Sequence, residues 1–310
     1  MNVKKILIIL MVTFFTKLMG FQSEEIDVLL QKPKIDMLSD ITYSQPGNLN
    51  LKLDLLKSEI KEKQPLLIFI TGGGFFASPK NNYIQQRLAI AEAGYIVASI
   101  EYRVIPQGKF PDPLIDIKAA IRYLKANADK FGIDKERVAV MGESAGGYLA
   151  SLAGTTVKRK EFEIGENLEE NSDIQAVINI YGLSDLTQVG SDYSKEVQEN
   201  HNSPSAPQAI LINGMSIFGN GGSVNSNLEA AKKANPITYI SKNTPSFLLM
   251  HGDKDTLVSP SQTDLLYQEL KKNKIDAKRY VVKNAGHGDI YWSQSEITEL
   301  IIKFLNEKLK

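Results

Sequence analysis

The chain has 310 residues, 43% of them apolar and 23% charged, with 36 lysines plus arginines balancing 36 aspartates plus glutamates. That composition excludes a disordered chain, and the balanced charge gives no net field to draw the protein toward nucleic acid or an acidic membrane, so its partners are to be sought in a pocket. The absence of cysteine excludes disulfides and thiolate sites, and the three histidines, His201, His251 and His287, show no paired ligand spacing, which argues against a metal-centred mechanism.

The first residues read differently from the rest. Two lysines lie between Asn2 and Lys5, Ile6 to Phe15 are nearly all apolar, and Lys17 to Gly20 turn polar and small. This is the layout of a secretory signal peptide, and the apolar run is shorter than the roughly 20 residues that span a bilayer. The expectation is export to the periplasm or beyond, with residues 1–20 removed and no stable membrane partner afterwards.

From residue 24 to 310 no repeat, low-complexity tract or long linker appears, which predicts a single domain. Leu49, Leu51, Leu53 and Leu55 alternate with mostly polar residues after the Pro46-Gly47 turn, predicting a strand in an edge hairpin. The continuous apolar runs 66–70, 95–100, 137–141, 175–180, 247–250 and 279–282 suit parallel strands buried on both faces. Between them lie helical periods. Leu114, Ile117, Ile121 and Leu124 recur at three, four and three, with Asp112 and Pro113 as start signals and Gly132 as a stop; further helices fit 82–92, 146–154, 261–273 and 294–308. The alternation predicts an α/β fold with a mostly parallel central sheet and helices on both faces, its functional residues at the carboxyl ends of the strands. Residues 187–235 break the pattern: they are rich in serine, asparagine and glycine, with 209–219 apolar, and predict a cap insertion over the site.

Gly142-Glu143-Ser144-Ala145-Gly146 matches the G-x-S-x-G nucleophile elbow of α/β-hydrolases, at the end of one apolar run and the start of a helical one. Small residues around Ser144 relieve the crowding of a sharp strand-to-helix turn. A serine needs a base, oriented in turn by a carboxylate, and the order in this fold is serine, acid, histidine. His287, in the loop "NAGHGD", is the histidine that follows both Ser144 and an acid at a strand end. For the acid, Asp253 and Asp255 share the loop after the preceding strand. Asp289 is too near His287 in sequence to orient its ring easily, and His251 is placed to bond locally and support the loop. "TGGGF" (71–75) follows a buried strand and frees backbone amides to converge, so the oxyanion donors are Gly73, Gly74 and Ala145. No lysine completes a P-loop and no G-x-G-x-x-G forms, which excludes a nucleotide cradle.

Together "TGGGF", "EYRVIPQGKFPDPLIDIKAAIRYLKANADKFGID", "GESAGG", "YGLSDL", "NPITYISKNTPSFLLMHGDKDTLV" and "AGHG" resemble, in order, a serine esterase of the α/β-hydrolase superfamily. The similarity is to the acetyl esterase/lipase branch related to hormone-sensitive lipase, and within it to secreted feruloyl and acetylxylan esterases. The resemblance implies that Asp255 is the acid beside Ser144 and His287, and that no cofactor is needed. It also implies a small-molecule or carbohydrate ester as substrate. An arylformamidase or amidase would use the same residues, whereas the intact triad argues against an inactive binding protein on this fold. Thr71 stands where relatives have histidine, which leaves the anchoring of the glycine loop open, and Glu101-Tyr102-Arg103 replaces D-Y-R, suggesting a structural ion pair.

Overall fold

In the computed structural model, which describes residues 25–218 and 221–310, the apolar runs lie side by side in one sheet. Among the described residues its eight strands are β1 (Ile35–Ser44), β2 (Leu51–Ser58), β3 (Gln64–Ile70), β4 (Ile96–Ile100), β5 (Ile133–Glu143), β6 (Ala176–Ile180), β7 (Ser246–Gly252) and β8 (Ala277–Val282). Their spatial order is β1-β2-β4-β3-β5-β6-β7-β8. The hairpin of β1 and β2 and the β2–β4 pair are antiparallel, and every later pairing is parallel. Such a sheet is the α/β-hydrolase architecture.

Both faces are buried because successive side chains of each strand point opposite ways. Leu66, Ile68, Ile70, Val138 and Val140 join one apolar cluster, while Leu67, Phe69, Ala139 and Met141 join the other. The helices among the described residues are α1 (Ile84–Glu92), α2 (Asp112–Ala126), α3 (Ala128–Phe131) and α4 (Ala145–Thr155), then α5 (Lys195–His201), α6 (Pro207–Asn213) and α7 (Leu228–Ala234), and finally α8 (Ser261–Lys272) and α9 (Ser295–Leu309). In α9 the buried residues Ile297, Ile301, Phe304 and Leu305 fall on one stripe at offsets of four, seven and eight, and they pack with α1 on the second face. Helices α2, α4 and α8 cover the first.

The predicted helix after Asp112 divides at Asn127 into α2 and α3, and Gly132 closes it in the left-handed conformation, φ 78°. Residues 25–34 have no regular secondary structure, and the first strand opens at Ile35. Residues 1–20, the expected signal segment, lie outside the described residues. The expected ion pair within Glu101-Tyr102-Arg103 does not form. Arg103 instead holds Asp116 through Nε at 2.9 Å and Nη2 at 2.8 Å, and Asp112 at 3.0 Å, while Glu101 accepts the Lys52 amide. Asp112 and Asp116 are four apart on α2 and so share one face, which offers Arg103 two carboxylates together.

The 187–235 segment, between β6 and β7, folds into α5, α6 and α7 and buries Ala209, Ile210, Leu211, Val224 and Ala231 in the first cluster.

Candidate active site

Ser144 stands where β5 turns into α4. Its backbone has φ 55° and ψ −122°, a strained conformation for a residue with a side chain, held by its amide donating to the Ile180 carbonyl at 2.9 Å. The turn is tight enough that a Cβ on Gly146 would come within 2.0 Å of the Ile70 carbonyl oxygen. Glycine there is therefore a packing requirement between two backbones, and it lets the first turn of α4 approach the end of β3.

The loops after β7 and β8 bring the other two groups. His287 Nε2 lies 2.8 Å from Ser144 Oγ, and His287 Nδ1 lies 2.7 Å from Asp255 Oδ2. An ionised carboxylate only accepts, so Nδ1 carries the ring proton and Nε2 presents its lone pair to the serine hydroxyl. Asp255 is buried and accepts from several donors. Oδ1 takes the Leu257 and Val258 amides, each at 2.9 Å, and Oδ2 takes His287 and also His251, whose Nε2 is 3.2 Å away. Burial alone would raise this carboxyl, but the hydrogen bonds from His251, His287 and the Val258 amide carry it well below the usual carboxylate range.

The neighbouring candidates have local duties. Asp253 accepts the Asn284 amide at 2.6 Å, and Asp289 accepts the Gly286 amide at 2.5 Å and the Tyr291 amide at 3.0 Å. His251 bonds as expected within its loop, to the Val258 carbonyl at 2.9 Å and Thr263 Oγ1 at 3.1 Å. Its approach to Asp255 was not foreseen.

The amides of Gly73, Gly74 and Ala145 carry no hydrogen bond to the described residues, and Ala145 opens the first turn of α4, where the helix dipole favours negative charge. Gly73 has φ 147°, out of reach of other residues without strain, and its carbonyl is tied down by the Phe76 and Ala77 amides at 3.0 and 3.3 Å.

Two spaces flank the serine turn. One, about 100 Å³, is lined by Phe75, Ser144, Leu183, Val189, Leu257 and Val258, and closed by His201, Pro207 and Gln208 from the 187–235 segment. The other, about 670 Å³, runs past Gly288 beside His287 and is lined by Asn82, Gln85, Gln86, Asp289 and Ser293.

Several residues near the site escaped the sequence reading: Glu143, Tyr83, Tyr181, Tyr193 and His201. Tyr181 follows β6 as the other site residues follow their strands, a placement that "YGLSDL" already offered. Tyr193 donates to the Asp255 carbonyl at 2.7 Å from a segment with no periodic pattern to announce it.

Known proteins resemble this chain in sequence and structure. The BD-FAE family model matches residues 53–270. Esterase LipC of Mycobacterium tuberculosis is 31% identical over 72% of the chain and 53% of LipC, and the probable carboxylic ester hydrolase LipM of the same organism is 28% identical over 75% of the chain and 51% of LipM. The chain thus spans about half the length of these curated relatives. Among solved structures, a truncated carbohydrate esterase from gut microbiota has TM-score 0.78 and 26% identity, covering 88% of this chain and 95% of that one. A bifunctional GH43-CE protein of Bacteroides eggerthii has TM-score 0.76 and 30% identity over 88% of this chain and 35% of that one.

Proposed function

The chain belongs to the BD-FAE family, and from that membership we propose that it is a serine carboxylic ester hydrolase working through an acyl-enzyme. The observation that carries this reading is the unbroken path from Asp255 through His287 to Ser144, at 2.7 and 2.8 Å, beside three unbonded amides. His287 Nε2 takes the Ser144 proton as Oγ bonds to the ester carbonyl carbon. The carbonyl π electrons move to its oxygen, where the amides of Gly73, Gly74 and Ala145 receive the charge. On collapse the bond to the alcohol oxygen breaks, and His287 returns its proton to that oxygen. Water, deprotonated by the same imidazole, then releases the acid and restores Ser144. Substrate, water and three side chains supply every atom and charge.

The acyl side of the substrate is small. A space of about 100 Å³ with mainly apolar walls suits an acetyl group better than an aromatic feruloyl one. The alcohol departs on the side of the imidazole that protonates it, into the cleft of about 670 Å³ whose amide, hydroxyl and carboxylate groups suit a polyhydroxylated alcohol such as a sugar. Similarity to a carbohydrate esterase supports that choice. Export, proposed from the first twenty residues, would put the protein where polysaccharide is met.

The test is a fluorophosphonate probe followed by a substrate panel: acetylated xylan, a feruloylated sugar, aryl acetates and an N-formyl aromatic amine. Ser144 takes the label, Ser144→Ala does not, and the acetyl esters turn over fastest. Amide turnover exceeding every ester by about tenfold would replace the esterase reading with an amidase. A wild-type protein that takes no label would be an inactive binding protein on this fold.

A further inference from the structure

Glu143 plays no part in the reaction just described, yet it is buried, 8% exposed, between the serine turn and the glycine loop. Its Oε1 accepts the Gly72 amide at 2.5 Å. A Cβ at position 72 would lie 2.7 Å from both Glu143 Oε2 and the Glu143 carbonyl oxygen, so glycine there admits the carboxylate. The side chain at 71 does not hold the loop, because the Thr71 hydroxyl is buried with no hydrogen-bond partner among the described residues. Apart from Glu143, the loop's entry is tied by the Tyr102 hydroxyl, which donates to the Thr71 carbonyl at 2.8 Å.

The geometry points to Glu143 as the positioning residue of the oxyanion hole: by gripping the Gly72 amide it sets the direction of the Gly73 and Gly74 amides that follow. Because Glu143 immediately precedes Ser144, the grip locks nucleophile and hole into one unit. This assignment rests on the hydrolase reading above. The titratable groups facing the carboxylate are His287 from the loop after β8, Tyr181 after β6, Tyr83 before α1 and Tyr102 after β4. Tyr83 and Tyr181 join hydroxyls at 2.5 Å, and Glu143 lines the larger cleft together with Tyr83.

The experiment compares Glu143→Gln, Glu143→Asp and Glu143→Ala with the wild type. Gln keeps an acceptor oxygen at the same reach without charge; Asp keeps the charge one methylene short. Two readouts are taken: kcat and KM on an aryl acetate, and amide hydrogen exchange over residues 69–76 measured without substrate. Gln retains kcat within about tenfold, whereas Asp and Ala lose about 100-fold in kcat with KM little changed. Exchange accelerates in Asp and Ala but not in Gln. Equal exchange in all four proteins overturns the assignment, and so does Asp outperforming Gln, which would make the role one of charge toward His287. If Ala does not fold, the Gln and Asp pair decides. A wild type that turns over no ester while exchange follows the expected order sinks the hydrolase reading and leaves the anchor standing.

Discussion

The ring of Tyr181 packs 4.7 Å from that of His287, tilted by 56°, and meets Trp292 at the same distance on another side. Tyr181 itself is buried at the end of β6 with φ 42°, its amide donating to the Met250 carbonyl at 2.8 Å. The imidazole thus leans on a wall that cannot easily move. Tyr181→Phe, which keeps the ring, is expected to retain most activity. Tyr181→Ala should lose on the order of 10- to 100-fold in kcat as the imidazole drifts from line with Ser144. Steady-state kinetics well below each variant's melting temperature check this, since the cavity also costs stability, about 3–5 kcal/mol for a large aromatic.

Asp255 and Asp253 are two residues apart but differ in what they hold. Asp255→Asn leaves the shape intact and disturbs the tautomer of His287, so kcat should fall on the order of 10⁴-fold. Asp253→Asn keeps an oxygen for the Asn284 amide and should cost less than about tenfold in kcat. Parallel kinetics on the two variants test this; a reversed ranking would move the acid role to Asp253.

Two carboxyls near the site are displaced in opposite directions, which separates them by pH. Asp255 is held below its unfolded value, so its contribution to stability is present above about pH 4 and lost as pH falls toward the folded value. Burial holds Glu143 above its ordinary range despite the Gly72 amide, His287 and Tyr181. Its contribution is therefore present below about pH 4 and lost as pH rises through the folded value. Asp255→Asn is expected to flatten the acid side of the curve of Tm against pH. Glu143→Gln should melt higher than the wild type in alkaline buffer and match it in acid, even where its turnover is lower. Calorimetry across the pH range reads both effects.

In the proposed reading, acyl length is set by the walls of the smaller space. Val189, 7% exposed, lines that space with Ser144, and Val189→Ala opens room for further methylenes. The ratio of kcat/KM for butyryl over acetyl esters should rise by roughly tenfold, within the range that one or two methylenes command in an apolar pocket. An unchanged ratio would place the acyl chain elsewhere.

Much of this was legible in the sequence for a physical reason. Parallel strands are buried on both faces and so announce themselves as apolar runs, and the sheet delivers functional groups at their carboxyl ends, which located Ser144, Asp255, His287 and the glycine loop. The hidden part is what those loops do to one another. Glu143, Tyr83, Tyr181 and Tyr102 come from four separate connections and meet only after folding, so no spacing within any one segment betrays them. The same holds for Arg103, whose partner Asp116 lies on the following helix rather than beside it.

Residues 187–235 lie outside the strand ends that carry Ser144, Asp255 and His287, yet through His201, Pro207 and Gln208 they close the smaller space. On the proposed function, bond-breaking and selectivity thus fall to different stretches of polypeptide. Exchanging that one insertion between relatives would retune which esters are accepted while the reactive groups stay untouched, making it the natural place for lineages to diversify and for an engineer to begin.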